Sequence, residues 1–123
     1  MTFEVGVEAT FSASHHLVGD FGPASRPHAH DYRVQISVRG DGLREDGTLF
    51  DISRLQQGLA EVIADIDGTN LNDLATANPT AEVMARFLFD RVAPTVAGQG
   101  LARLEARLWE SPEAFASYSA DLA

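Results

Sequence analysis

Two stretches of this chain alternate in polarity over unusual lengths, and that alternation limits the fold more than any other feature. Residues 3–15 place Phe3, Val5, Val7, Ala9, Phe11, Ala13 and His15 on one side, with Glu4, Glu8, Thr10, Ser12 and Ser14 opposite. In RPHAHDYRVQISVRG, from Arg26 to Gly40, His28, His30, Tyr32, Val34, Ile36 and Val38 share one parity. Ala29, Asp31, Arg33, Gln35, Ser37 and Arg39 take the other. Strand side chains alternate with period two, so 3–15 and 28–40 each predict a long strand with one buried face. LVGDFGPASRP (17–27), rich in Gly and Pro, predicts the loop between them, and GDGLREDG a turn after the second.

From Asp51 the period changes. Ile52, Leu55, Leu59, Val62 or Ile63, and Ile66 recur at helical spacing behind a good N-cap, Asp51, and predict an amphipathic helix over 52–66. DGTNLNDLATAN (67–78) predicts a loop. Asn78 and Pro79 suit the cap and first turn of a second helix with the stripe Val83 or Met84, Phe87, Leu88 and Val92, ended by Pro94. After AGQG, Ala102, Leu104, Ala106 and Leu108 alternate with charged residues up to Trp109 and Glu110, and 114–121 predicts a last strand. The order ββααββ predicts an α+β fold over residues 1–123: an antiparallel sheet with two helices on one face.

Composition excludes several functions. The chain has no cysteine, which removes disulfides, thiolate metal sites and a catalytic thiol. Its net charge is −9, and its nine basic residues are arginines scattered without a stripe, so neither nucleic acid nor an anionic membrane is an expected partner. No apolar run approaches the roughly 20 residues of a membrane span. The start MTFEVGVEAT has no basic leader or hydrophobic signal core, and a cytoplasmic location is expected.

Residues two apart on a strand point the same way with Cα atoms about 6.5–7 Å apart, close enough for two imidazoles to reach one ion. His28 and His30 meet this condition, and His15 ends the apolar face of the preceding strand. Three imidazoles with an open fourth position describe a catalytic zinc site. The plainer alternative is a set of satisfied boundary histidines. His16, on the other parity, is expected to point away. A cupin would need a carboxylate four residues after the second histidine, where Val34 stands. Glu110 extends the small-apolar face of its strand, where a carboxylate must find a partner. Either it reaches solvent at an edge, or it grips a heterocycle with adjacent N–H donors.

FSASHHL (11–17), HAHDY (28–32), GTLFDISRL (47–55), DIDGTNLND (65–73), NPTAEVMA (78–85) and LWES (108–111) stand in a familiar order and spacing. The chain resembles the 6-pyruvoyl-tetrahydropterin synthase and 6-carboxy-tetrahydropterin synthase family over nearly its whole length. The resemblance implies the tunnelling fold, with subunit sheets joined into barrels, two trimers stacked into a homohexamer, and active sites between subunits. It implies zinc on His15, His28 and His30, a pterin-anchoring role for Glu110, and positions near the pterin pocket for Thr80 and Glu82. Departures cluster in the proton-transfer groups. Ala29 replaces the glycine of the family's H-G-H, Ala24 stands where the synthases have a cysteine, and Ser25 where a variant branch has a glutamate. The family's Asp-His pair reads Asp67-Gly68, and the often basic residue after the first zinc histidine is His16.

The expected function is therefore a zinc-dependent lyase or aldolase-type enzyme acting on 7,8-dihydroneopterin, its triphosphate or a related pterin, with Asp67 the surviving part of the proton relay. Its rival is a catalytically silent pterin- or purine-binding protein of the same fold.

Overall fold

A computed structural model describes residues 1–75 and 78–122. Positions 76 and 77, in the expected 67–78 connection, lie outside the described residues. The alternating stretches form β1 (Phe3–His15) and β2 (His28–Gly40), and the later strands are β3 (Arg103–Ser111) and β4 (Ala114–Asp121). They make one antiparallel sheet in the order β1-β2-β3-β4. Helices α1 (Ile52–Ile66) and α2 (Ala81–Val96) pack on one face of it, giving the α+β ββααββ arrangement.

The core lies between that face and the helices. Tyr32, Val34, Ile36, Val38, Leu104 and Leu108 from the sheet meet Leu55, Leu59, Met84, Leu88 and Val92 from the helices, all essentially removed from water. Each such large side chain contributes about 1.5–3 kcal/mol of transfer free energy, so the parity of β2 and β3 is strongly held. The opposite face is polar. Glu4 pairs with Arg39 at 2.6 Å, Glu8 with Arg33 at 3.1 Å, and Asp121 with Arg103 at 2.7 Å. Arg33 also lies 3.7 Å over the Trp109 ring.

Helix α1 begins at its expected cap, Asp51, whose carboxylate accepts from Ser53 N–H at 2.9 Å. Ile52, expected in the apolar stripe, is instead 51% exposed at the first position of the helix, where it lines a surface groove with Phe3, Leu43 and Phe50. The start of α2 differs from expectation: its cap is Thr80, whose hydroxyl accepts from Val83 N–H at 3.2 Å, and Pro79 lies outside the helix. Pro94 does not end α2, which continues to Val96. Pro94 sits on the exposed flank of the last turns, where the carbonyl it leaves unbonded is hydrated at small cost.

Replacing the α1 cap, Asp51→Ala, is expected to remove about 1 kcal/mol of stability and lower the melting midpoint by roughly 4 °C, read by circular dichroism. An unchanged midpoint would show that the helix start is held by packing alone.

Candidate metal centre

The β1–β2 register decides where the histidines meet. His15 lies directly opposite His28 and Ala13 opposite His30, so all three imidazoles rise from the helix-covered face at one end of the sheet. Their rings stand edge to face, with centroids 4.5 Å apart for His15–His28, 4.8 Å for His28–His30 and 5.1 Å for His15–His30. One nitrogen from each lies within 4.8 Å of the other two. His15 is buried and the other two are half-exposed, so the cluster has a closed floor and an open mouth.

Two rings are held by backbone carbonyls. His15 Nδ1 donates to Pro79 O at 2.8 Å, and His28 Nδ1 donates to Arg26 O at 2.7 Å. With Nδ1 carrying the proton, Nε2 of each ring keeps its lone pair, the tautomer a metal ligand requires. Burial lowers the pKa of His30, and His15 and His28 lower it further, while Glu110 opposes the shift. Three convergent imidazoles, two of them with Nδ1 held by a backbone carbonyl, are a donor set that fits zinc.

Glu110 sits at the end of β3, one step past the last β2–β3 pair, Arg33–Trp109, and therefore opposite Tyr32. A register shift between Trp109 and Ser111 breaks the pairing to β4 at Glu110, and irregularities of this kind re-aim a side chain at a sheet end. Its charge is felt by both His30 and Tyr32. Tyr32 packs its ring 4.7 Å from Phe11 and 5.3 Å from His30, under the cluster. Burial, then Glu110, pushes the Tyr32 phenol up, and its hydroxyl is buried with no partner among the described residues.

The other sequence candidates lie around this centre. Thr80 follows Pro79, the residue that holds His15, but its hydroxyl is engaged as the α2 cap. Glu82 is exposed in the first turn of α2 and opens onto a groove with Leu74, Phe87 and Tyr118. Asp67 is not in the histidine cluster. Its carboxylate accepts from Ser12 N–H at 2.9 Å on the outer edge of β1, where Gly68 N–H also donates to Ser12 O at 2.7 Å. Ser25 has its hydroxyl committed to the loop: it donates to Gly19 O at 2.7 Å and accepts from Phe21 N–H at 3.0 Å.

Sequence reasoning missed the clamps that hold the rim. Asn72 bonds both N–H and C=O of His16, at 2.9 and 3.0 Å, and Asn78 does the same for Val18, at 2.8 and 3.1 Å. The signal was present in two of the quoted motifs, NLND and NPT, as asparagines next to turn residues. Nothing local shows that they reach across to the β1–β2 loop.

The 6-pyruvoyl tetrahydropterin synthase family model matches residues 4–121. The chain is 30% identical over 142 aligned positions to the 6-carboxy-5,6,7,8-tetrahydropterin synthase of Haemophilus influenzae, covering 94% of this chain and 98% of that one. It is 34% identical over 99 positions to the Bacillus subtilis protein of the same name, covering 74% and 66%. The chain belongs to the 6-pyruvoyl tetrahydropterin synthase family. The solved structure of the Plasmodium falciparum 6-pyruvoyl tetrahydropterin synthase superposes with a TM-score of 0.86 over 98% of this chain and 99% of that one, at 18% identity. At that identity the likeness speaks to the fold, which is the family's tunnelling fold.

Of the departures expected from the resemblance, Ala29 lies in β2, while Ala24, Ser25 and Gly68 lie in connections. Ala24 lies in a short 3-10 turn, Gly22–Ser25, where its carbonyl accepts from Leu17 N–H at 2.9 Å. Gly68 adopts φ +75°, a left-handed conformation that glycine takes without strain. His16 is turned from the cluster, its backbone fixed by Asn72.

His28→Ala is expected to abolish stoichiometric zinc in the purified, untagged protein, while His16→Ala leaves it unchanged, both read by elemental analysis. Equal loss in the two variants would overturn the assignment by strand parity.

Proposed function

We propose that this chain is a zinc-dependent lyase of the tetrahydropterin synthase type, acting on 7,8-dihydroneopterin, triphosphorylated or not, or a related pterin. The observation that carries this reading is the cluster of three imidazoles, two of them fixed through Nδ1 by the Pro79 and Arg26 carbonyls. His15, His28 and His30 are the proposed ligands. Zinc, when bound, supplies a Lewis acid for a side-chain hydroxyl or carbonyl of the substrate.

The chain's own residues do the rest. Glu110, aimed from the end of β3, accepts two parallel N–H bonds from the amino-pyrimidinone edge of the pterin. Thr80 and Glu82, on the helix start tied to His15 through Pro79, lie where a bound ring's flank is read. Asp67 moves a proton. It stands on the β1 edge rather than beside its own histidines, so this role requires a second copy of the chain, consistent with sites between subunits of a homohexamer. A cytoplasmic setting suits this substrate class.

A second reading, a silent pterin-binding protein, is favoured by specific residues. Ala24 and Gly68 offer no titratable group, and the Ser25 hydroxyl is bonded to backbone. Positioned acids and bases contribute about 10²–10⁴-fold each, so their loss bears on turnover far more than on binding.

Titration calorimetry with dihydropterins, paired with a turnover assay, separates the two readings. Glu110→Gln is expected to weaken pterin binding by about 100-fold, the loss of a charge-assisted bidentate pair, while leaving zinc content intact. Binding unaffected by Glu110→Gln would remove the anchor assignment. Tight binding without product release would favour the silent protein.

A further inference from the structure

Tyr32 stands where the histidine cluster meets the proposed pterin anchor. On the helix-covered face its ring is stacked on Phe11 of β1, and Glu110 of β3 stands opposite it on the other side. Along β2 its neighbours on that face are His30, with ring centroids 5.3 Å apart, and the buried Val34. Tyr32 is only 1% exposed, and its hydroxyl is buried without a hydrogen-bond partner among the described residues.

A buried hydroxyl left alone carries a desolvation cost that phenylalanine, with the same ring, would avoid. The atom is enclosed by its own chain, so a second copy cannot reach it. Its acceptor must come from within. Phe11, Val34 and Leu108 around it are apolar. An imidazole that gives one nitrogen to a metal keeps a proton on the other, so His15 and His30 are donors there rather than acceptors. Glu110, acceptor-only when ionised, is the neighbour that fits, and its charge reaches the phenol. It is half-exposed at a break in the β3–β4 pairing, and a carboxylate on a flexible stem can turn to the hydroxyl or meet it through a water.

We propose that Tyr32 is a positioning residue for Glu110: its buried hydroxyl donates to the carboxylate, directly or through one water, and fixes the orientation in which that carboxylate meets a pterin. The role in binding rests on the pterin reading above; the bond itself does not. A carboxylate has about four acceptor sites, so one bond from Tyr32 leaves both oxygens able to receive the two N–H groups of the ring.

A double-mutant cycle tests the bond without any ligand. Melts of the full chain at matched zinc content are followed by circular dichroism for Tyr32→Phe, Glu110→Ala and the double variant. Phenylalanine keeps the ring on Phe11, so the fold is retained. Tyr32→Phe is expected to lower the melting midpoint by about 4 °C in the native chain, and to leave it unchanged or raise it in the Glu110→Ala background. A midpoint that holds or rises in the native chain, or falls equally in both, overturns the proposal.

Calorimetry with 7,8-dihydroneopterin reads the consequence for binding. Tyr32→Phe is expected to weaken it about tenfold while zinc content stays stoichiometric. Unchanged affinity, or loss of zinc, overturns the positioning role and leaves the pterin reading standing. A native chain that binds no dihydropterin overturns the pterin reading instead, and the melts then decide the Tyr32–Glu110 bond by themselves.

Discussion

The antiparallel register that sets His15 opposite His28 is the constraint on which the candidate centre depends. A slip of one residue would send both histidines of β2 to the polar face and leave His15 without neighbours. The register is held from both sides of the sheet. On the core face Phe11 stacks on Tyr32, and Val34, Ile36 and Val38 are completely buried. On the other face Glu4 meets Arg39 and Glu8 meets Arg33. Exposed ion pairs of this kind contribute little energy, so the buried face carries most of the register.

Given that register, the precision of the centre comes from backbone. Pro79 and Arg26 present carbonyls to the outer nitrogens of two rings, and both carbonyls belong to segments fixed independently. Pro79 is buried just before the Thr80 cap of α2, and Arg26 closes the short 3-10 turn by donating to Pro23 O at 3.1 Å. The Asn72 and Asn78 side chains then tie the loop after His15 to the segments leading into α2. Each hydrogen bond is worth about 1 kcal/mol net, but together they link the helix start, the loop and both strands into one support. Orientation of the imidazoles is therefore a property of the fold and does not wait for a ligand.

Much of this was legible in the sequence because period and parity are local signals. β1, β2 and α1 fall at their expected ends, and the parity of His15, His28 and His30 places them on one face. What escaped were features decided by neighbours distant in sequence. Asn78 and Thr80 are equally good cap residues by type; Asn78 is drawn off to the Val18 backbone, so Thr80 caps the helix. Pro94 reads as a helix stop, yet its exposure lets the helix continue. The position of Asp67 on the β1 edge follows from a parallel bridge between Ser14 and Asn70, a contact that no alternation or capping pattern announces.

The same distinction bears on which residues around the cluster the fold fixes. His15, His28, His30 and Glu110 stand on strands, whose register orients them. Ala24, Ser25 and Gly68 lie in connections, where a changed side chain leaves the core untouched. Ser25 shows the consequence most directly. Its hydroxyl closes the loop through Gly19 O and Phe21 N–H, with no imidazole or carboxylate among its hydrogen-bond partners. A serine in that setting is structural, because a hydroxyl becomes a useful base only when a second group shares its proton. The strands thus orient the histidine cluster, and the connections hold its surroundings.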